Sequence, residues 1–334
     1  MSASQGWRIA LLGATGAVGE EILHLLEERR FPVLELRAFA SDSSEGRQVE
    51  FRGEEIPVES IRRDRLTDVD LVFCAAPGVL EALRRDLEEA RTRIVDLSGT
   101  LELAPEIPLY LPHEGVVGEL SGSVAVPRGP IAGLARALRA LRAEVELERV
   151  TVVTLESASG AGRRGVGELS AQTLELLNSM TGEPGDPEVF AQPLAFDCLP
   201  GVGLPLEEGE TSEEVRLAHV LRRLLASPAL RIETTRVRVP IFGGSLACVH
   251  LALAGPLSVE QARELLAKTP GLDVLGPGEL PTPRTRVGHD SLAVGRIRTV
   301  ERDGPGLAFV LAMDDLRQGA ALTALEAATR LLAS

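Results

Sequence analysis

Short apolar runs alternate with amphipathic stretches through the first third of the chain. The run at 9–12 ends at a glycine, and the stretch 17–29 that follows gathers its isoleucine and leucine residues on one helical face. Similar apolar runs, with a helical pattern among them at 79–87, recur at 34–40, 71–74, 94–95 and 124–126. Buried strands that alternate with helices are typical of a mostly parallel sheet covered on both faces. The pattern therefore predicts a doubly wound α/β domain.

Beyond residue 147 the pattern changes to longer β-rich runs. These runs are at 150–155, 232–239, 247–253, 292–297 and 307–312, with helical patterns near 165–177 and 213–224. Long strands separated by few helices favour an α+β domain with a mixed sheet. The length of 334 residues agrees with two domains, since one domain takes roughly 100–200 residues.

The net charge of the chain indicates which partners it can bind, and the spacing of its cysteines indicates whether disulfides or a metal site are expected. The chain has 49 acidic and 35 basic residues, and its net charge of -14 repels nucleic acid and anionic lipid surfaces. We therefore expect small molecules and other protein subunits as partners, and neither nucleic acid nor membrane. The three cysteines are widely separated, which argues against a disulfide framework or a metal site, and residues 1–6 do not resemble a signal peptide. A cytoplasmic protein without a metal is expected.

A glycine-spaced turn joins the first predicted strand to the first predicted helix. Backbone amides and a helix N-terminus in this context can hold a pyrophosphate, and a side chain on the glycines would obstruct the approach. The residues predicted to contact a dinucleotide are Gly13, Thr15, Gly16, Ala17, Val18 and Gly19. A tight turn that binds nothing is the alternative. The second predicted strand ends at Ala40 and Ser41 and lacks the carboxylate that usually grips the ribose of NAD.

Six segments spread over nearly the whole chain carry a family pattern: 13–19 (GATGAVG), 159–162 (SGAG), 211–214 (TSEE), 237–240 (VRVP), 294–298 (VGRIR) and 314–321 (DDLRQGAA). Together they resemble the aspartate-semialdehyde dehydrogenase family. The family converts an acyl phosphate to an aldehyde through a cysteine thioester, with NADPH as reductant. The resemblance implies a Rossmann-like nucleotide domain at 1–128 and 316–334, with the final helix at 319–332 packed on it. It also implies a substrate and dimerisation domain at 129–315, and a homodimer or higher homo-oligomer.

The resemblance implies NADP as the cofactor, although NAD remains open. The family's loop for the 2′-phosphate reads Ser-x-Arg-Ser-x-Gly-Lys, whereas residues 41–47 read SDSSEGR, with Ser43 at the arginine position. Ser41 and Ser44 are predicted to contact the phosphate with hydroxyl groups, which pair more weakly with it than a guanidinium does. Gly160, in the matching segment 159–162, is also assigned to the cofactor site.

Four positions depart from the residues that the family's reaction needs. Gly129 stands at the cysteine position, Ser245 at the histidine base, Glu156 at a glutamine and Glu102 at a phosphate-binding arginine. A thioester needs a nucleophile and a base, and Gly129 has no side-chain sulfur. No catalytic residue is therefore assigned, and the chain is predicted to be a pseudoenzyme of amino-acid biosynthesis.

Two residues of the family's substrate site are retained. Arg238 matches the arginine that binds the substrate carboxylate, Glu214 matches the partner of its amino group, and Arg216 replaces a nearby lysine. An amino-acid-like ligand is therefore a predicted partner. The alternative is that Arg238 and Glu214 form an ion pair with a structural role only.

The cysteines are not expected to replace the missing thiol. Strand alternation places Cys248 on the opposite face from Ser245, and all three thiols are predicted to be core or supporting residues. Three functions remain open: a catalytically silent homologue that binds a dinucleotide, a divergent NAD(P)-dependent dehydrogenase or reductase that needs no cysteine, and a structural protein that has also lost the nucleotide.

Overall fold

Two compact units make up the chain in a computed structural model, which describes residues 6–119, 122–178, 185–300 and 304–333. The first unit holds the described residues up to Arg128 together with those from Ala320 onward. The second unit is Gly129–Gly319. Each unit has its own sheet.

The strands of the first unit are β1 Trp7–Leu12, β2 Val33–Ala40, β3 Gln48–Phe51, β4 Glu54–Ser60, β5 Leu71–Cys74, β6 Arg93–Asp96, β7 Leu109–Leu111, β8 Gly115–Val117 and β9 Ser123–Ala125. Those of the second are β10 Leu147–Glu156, β11 Leu199–Pro200, β12 Arg231–Arg238, β13 Ser245–Leu253, β14 Leu272–Val274, β15 Leu292–Thr299 and β16 Gly306–Met313. The helices are α1 Ala17–Glu28, α2 Leu80–Glu89, α3 Ile131–Arg142, α4 Gly162–Asn178, α5 Ser212–Leu224, α6 Val259–Ala267 and α7 Leu322–Leu332.

The first sheet has the order β3-β4-β2-β1-β5-β6-β9-β7-β8. Its central strands run parallel, whereas β3 with β4 and β7 with β8 form antiparallel pairs at the edges. The predicted α/β class with a Rossmann-like domain is confirmed. Helix α1 buries Ile22, Leu25 and Leu26 in the core cluster of this unit, and α7 packs on the same core. Each fully buried aliphatic side chain contributes about 1.5–3 kcal/mol.

The second sheet has the order β11-β12-β10-β13-β16-β15-β14 and is mixed, as expected. Strands β10 and β12 are parallel, while β13 pairs antiparallel with both β10 and β16. Buried and more exposed residues alternate along β13, so one face of the sheet belongs to the core and the other is more open. Helices α3, α5 and α6 pack against the strands of this unit.

Helix α3 was not predicted. Its apolar residues Ile131, Leu134, Leu138 and Leu141 recur at helical spacing and are all fully buried, and Pro130 precedes them at the N-cap. This periodic signal was readable in the sequence.

The start of the final helix was predicted too early. Residues Arg317–Ala321 form a π-type turn, in which the Gly319 amide donates to the Asp314 carbonyl at 2.9 Å, and the regular helix begins only at Leu322. The wider turn arises because this bond spans five residues instead of four. Among the described residues, no helix combines the length and the apolar character that crossing a bilayer requires.

Candidate functional site

The glycine turn after β1 is held by close backbone packing. The amides of Gly13 and Ala14 both donate to the Phe39 carbonyl near the end of β2, at 2.8 and 3.0 Å. Gly13 has φ +93°, and a Cβ on Gly19 would lie 2.9 Å from the Cα of Ala14. Both glycines are therefore required by the turn itself.

The N-terminus of α1 follows this turn without a side-chain cap. Gly16 is the N-cap residue and offers no side-chain acceptor, so Ala17, Val18 and Gly19 begin the helix with amides that no side chain caps. Such amides, with the positive end of the helix dipole, suit a pyrophosphate. Thr15 lies at the same turn, with its hydroxyl 3.5 Å from that of Ser44. The residues present therefore fit a dinucleotide.

The predicted 2′-phosphate loop adopts a short 3-10 turn over Asp42–Ser44. Ser41 and Ser43 are exposed, with hydroxyl oxygens 2.9 Å apart, whereas Ser44 is buried. Ser41 therefore offers an accessible hydroxyl, while Ser44 is oriented towards Thr15. Contact of either residue with a cofactor stays a prediction.

Glu102 is fully buried, and Arg128 of the same unit compensates its negative charge. Its carboxylate accepts from the Arg128 amide at 3.0 Å and lies 3.6 Å from the Nε of Arg128. The Arg128 guanidinium passes over Gly99, where a Cβ would come within 2.6 Å of its central carbon. This pairing was not predicted from the sequence, and it compensates the negative charge of Glu102 in the loop after β6.

Gly129 opens the second unit in a left-handed conformation, with φ +65°. Of the atoms in the described part of the chain, a Cβ built there would meet only the Nη2 of Arg236 within 4 Å, at 3.9 Å. There is thus room for a side chain that faces this guanidinium, but an L-residue would be strained in this backbone conformation.

Arg236 is the centre of a buried ion-pair network that the sequence analysis missed. Its Nε and Nη2 donate to the two carboxylate oxygens of Glu156 at 2.6 and 2.9 Å, a bidentate arrangement, and Nη1 donates to Glu213 at 2.8 Å. Thr154 also donates to Glu156, at 2.7 Å. Burial alone would raise the pKa of Glu156, but the charge and hydrogen bonds of Arg236 outweigh it and lower the pKa below its usual value. Glu156 is therefore a carboxylate anchored to Arg236.

Glu214 has a local structural role at the start of α5. Together with Thr211 it forms a capping box: one carboxylate oxygen accepts from the Thr211 amide at 2.8 Å, and the Thr211 hydroxyl caps the Glu214 amide. The other oxygen accepts from the Arg236 amide at 2.9 Å. The pattern Thr-x-x-Glu at 211–214 carried this signal in the sequence. A role for Glu214 in ligand binding remains a prediction.

Arg238 is largely buried next to Gly160. Its Nη1 donates to the Ser157 carbonyl at 2.5 Å and lies 3.9 Å from Glu156, and a Cβ on Gly160 would be 3.4 Å from its guanidinium carbon. Burial lowers the pKa of Arg238, and the charge of Glu156 opposes that shift. Among the described residues, Arg238 and Glu214 share no ion pair, so the structural alternative considered from the sequence is wrong.

Ser245 donates to a carboxylate instead of serving as a free hydroxyl. Its Oγ lies 2.5 Å from Oδ1 of Asp315, and Ser245 itself is fully buried. Burial raises the pKa of Asp315 to about 7, the charges of Glu156 and Asp314 act in the same direction, and the Ser245 hydrogen bond opposes them. The pair therefore places a titratable carboxyl group where the sequence analysis considered only a serine.

The three cysteines lie in different environments. Cys74 is buried, and burial raises the pKa of its thiol to about 12. Cys248 lies on the more open face of β13, opposite to Ser245 as predicted, but it is only partly buried. Cys198 is exposed, so of the two predicted environments, core or supporting residue, the core position is wrong. Within the described residues no group of three or more histidine, cysteine, aspartate or glutamate side chains is placed to hold a metal ion.

Comparison with known proteins decides the family. The family model "Semialdehyde dehydrogenase, NAD binding domain" matches residues 8–114, and "Semialdehyde dehydrogenase, dimerisation domain" matches residues 138–318. Aspartate-semialdehyde dehydrogenase 2 of Vibrio cholerae is 32% identical over 98% of each chain. The chain belongs to the aspartate-semialdehyde dehydrogenase family. This family is the one that the six segments indicated.

Further relatives of this chain include proteins named aspartate-semialdehyde dehydrogenase and one named USG-1 protein homolog. The aspartate-semialdehyde dehydrogenase of Legionella pneumophila is 34% identical over 97% of this chain and 95% of its own length. The USG-1 protein homolog of Azotobacter vinelandii is 36% identical over 97% of both. The crystal structure of aspartate semialdehyde dehydrogenase II from Vibrio cholerae, complexed with ASA, superimposes with a TM-score of 0.91. The two sequences are 31% identical, and the match covers 99% of both chains. The predicted fold of both domains is confirmed by this similarity.

Proposed function

We propose that this member of the aspartate-semialdehyde dehydrogenase family no longer performs the thioester reaction and retains binding of a dinucleotide and of a second subunit. The observation that carries the proposal is Gly129, which has no sulfur at the position where the resemblance puts the cysteine. Loss of a covalent nucleophile lowers turnover roughly a million-fold in enzymes where it was measured. An aspartate-semialdehyde-like molecule can still be a ligand, without being consumed.

The surroundings of Gly129 support the same proposal. Glu156, at the family's glutamine position, is anchored to Arg236 by two hydrogen bonds, and Ser245, at the histidine position, is bonded to Asp315. Both side chains are thus held by a hydrogen-bonding partner, which supports the absence of a free base at these positions. Cys74 has a pKa raised to about 12 by burial, so its thiol is almost entirely protonated at neutral pH.

Retained dinucleotide binding is supported by the uncapped start of α1. The amides of Ala17, Val18 and Gly19 would hold the pyrophosphate, and the exposed hydroxyl of Ser41 would hold a 2′-phosphate. When bound, the nicotinamide supplies hydride transfer. We assign NADP as the dinucleotide; a related fold from Candida albicans was solved with NADP, at a TM-score of 0.72.

A second candidate function is hydride transfer without a covalent intermediate. The observation that favours it is the Ser245–Asp315 pair, because a carboxyl group with a pKa near 7 can hold or release a proton at neutral pH. Arg238 would then bind the carboxylate of a small aldehyde or ketone substrate, and Glu214 would lie close to the amino group of that substrate. In this function the chain is a dehydrogenase or reductase of a different reaction.

Association with a second copy is supported by the dimerisation model and by the more open face of the second sheet. Partly buried apolar side chains of Val153, Leu155, Leu246 and Cys248 lie on that face. Burying them against a second copy would remove apolar surface from water. We expect sedimentation velocity to give a homodimer, and Val153→Lys to shift it towards monomer; a wild-type monomer at micromolar concentration would contradict this part of the proposal.

The proposal is tested by separating binding from turnover. NADPH should raise the melting temperature of the wild type, since a ligand that binds only the native state stabilises it. Ala17→Asp, which puts a carboxylate at the start of α1, should abolish the rise, and Glu20→Asp in the first turn of the same helix is the matched control.

In parallel, phosphate-dependent reduction of NADP with aspartate semialdehyde should stay at background. Steady turnover by the wild type would refute the loss of the reaction. Reduction of a different aldehyde or ketone by NADPH that disappears in Asp315→Asn would favour the second candidate instead.

A further inference from the structure

A cavity with a cationic lining lies at the C-terminal end of α5, on the turn that leads into β12. Its volume is about 570 Å³, within the range of small-molecule sites. The described residues that line it are His219, Arg222, Arg223, Ala226, Ser227, Pro228, Ala229, Leu230 and Arg231. No aspartate or glutamate is among them, although acidic residues outnumber basic ones by 49 to 35 in the chain.

Two of these arginines keep hydrogen-bond donors available. The Nε of Arg222 donates to the Leu230 carbonyl at 2.9 Å, and within the described chain its Nη1 and Nη2 have no partner. Arg231, the residue after Leu230, is exposed and likewise has no carboxylate partner in the described ranges. The bond thus fixes Arg222, and both arginines line the cavity.

A third arginine lies beside Arg231 in the sheet, outside the lining of this cavity. Arg149 on β10 is the direct neighbour of Arg231 on the parallel strand β12, and both are exposed. Neighbouring strands lie about 4.8 Å apart, so two like charges side by side repel each other. A bound anion would relieve this repulsion.

The negative end of the α5 dipole does not oppose an anion here. The terminal carbonyls of Leu224 and Leu225 accept hydrogen bonds from Arg139 and Arg142 of α3. These two arginines satisfy the helix end, so that Arg222 and Arg231 are left for another partner. This region therefore has more arginines than the carbonyls at the end of α5 require.

We propose that this cavity binds a small polyanion that carries two or more phosphate groups. Arg222 and Arg231 both line the cavity. Planar guanidinium forks pair with phosphate in bidentate fashion, so two of them suit a ligand with two phosphate groups. The apolar wall of Ala226, Pro228, Ala229 and Leu230 leaves space for a small organic portion. The site lies entirely within the second unit and does not depend on the proposed function.

The test is isothermal titration with inorganic pyrophosphate at low and at physiological salt. We expect saturable binding that weakens with salt, and an affinity at least about tenfold lower in Arg231→Gln. Arg222→Lys is the second variant: it keeps a charge but loses the fork and the Nε bond to Leu230, so it should weaken binding and slightly lower the melting temperature. Arg231→Gln should weaken binding with an unchanged melting temperature, because Arg231 is exposed. Arg164→Gln, which removes an exposed arginine of α4, is the matched control and should bind like the wild type.

Pyrophosphate could also bind at the glycine turn of the first unit, and the variants separate these two sites. Unchanged affinity in both Arg231→Gln and Arg222→Lys would overturn the proposal, as would the absence of saturable binding in the wild type. Citrate that binds more tightly than pyrophosphate, with the same dependence on Arg231, would overturn the assignment to phosphate.

Discussion

The buried network around Arg236 gives a stability prediction of definite size. The side chains of Arg236 and Glu156 are only 4% and 7% exposed, and their two hydrogen bonds are 2.6 and 2.9 Å long. Removing one partner of a buried ion pair costs about 3–5 kcal/mol when the other charge is left unpaired. Here Glu213 remains 2.8 Å from Arg236. We therefore expect Glu156→Gln to cost less, about 2–3 kcal/mol, because the second carboxylate still compensates the guanidinium.

Glu213→Gln should cost about 1–2 kcal/mol by itself. Its side chain is 24% exposed and Arg236 keeps Glu156, but the buried Arg216, which donates to Glu213 at 2.7 Å, also loses this carboxylate. The double variant removes both carboxylates from the guanidinium. Since either glutamate can compensate for loss of the other, the cost of the double variant should exceed the sum of the single ones by about 1 kcal/mol or more.

Urea denaturation at one fixed protein concentration measures these differences, with Glu148→Gln as control. Glu148 is an exposed residue of the same strand as Glu156 and should change stability by less than about 0.5 kcal/mol. If Glu156→Gln is as mild as Glu148→Gln, or if the double variant is merely additive, the network does not hold β10, β12 and α5 together as described.

Three further predictions concern single contacts. Thr211→Ala removes a capping box at α5 and should lower the unfolding free energy by about 1–2 kcal/mol, whereas Thr211→Ser should retain most of it in the same denaturation assay. Because the pKa of Asp315 is raised to about 7, the native state binds a proton that the unfolded state releases, so this carboxyl stabilises the fold most at acid pH and the contribution is lost as pH rises through 7. Asp315→Asn should therefore flatten the pH dependence of urea midpoints between about pH 4 and 7, and an unchanged profile would argue against the assignment. Gly129→Cys should lower stability by about 1–2 kcal/mol because of the positive φ, and its rate of NADP reduction with aspartate semialdehyde should stay at background.

The nucleotide-binding unit was predictable from local signals. The run that forms β1, the glycine turn and the apolar face of α1 all lie within residues 7–28, and each has a short-range physical cause. What could not be predicted is the environment of Ser44, because its burial next to Thr15 depends on a contact across 29 residues.

The charged network of the second unit is the part of the candidate site that was least predictable from the sequence. Glu156 and Arg236 are 80 residues apart, and nothing in the sequence specifies that their strands are parallel neighbours. One signal was available: Arg236 and Arg238 lie two residues apart on a strand and therefore share a face, and a buried face with two arginines requires carboxylates. From the sequence, Arg238 was instead paired with Glu214, either at a ligand site or as a structural ion pair, although the Thr-x-x-Glu spacing indicated a cap.

The central claim is that the protein forms no acyl thioester, and intact-mass spectrometry tests it directly. The protein is incubated with aspartate semialdehyde and NADP during attempted turnover, quenched in acid, and compared with an authentic thioester-forming relative treated in the same way. We predict no added mass on this chain and an adduct on the relative. A covalent acyl adduct on Cys74, Cys198 or Cys248, formed with NADP and absent without it, would contradict the account.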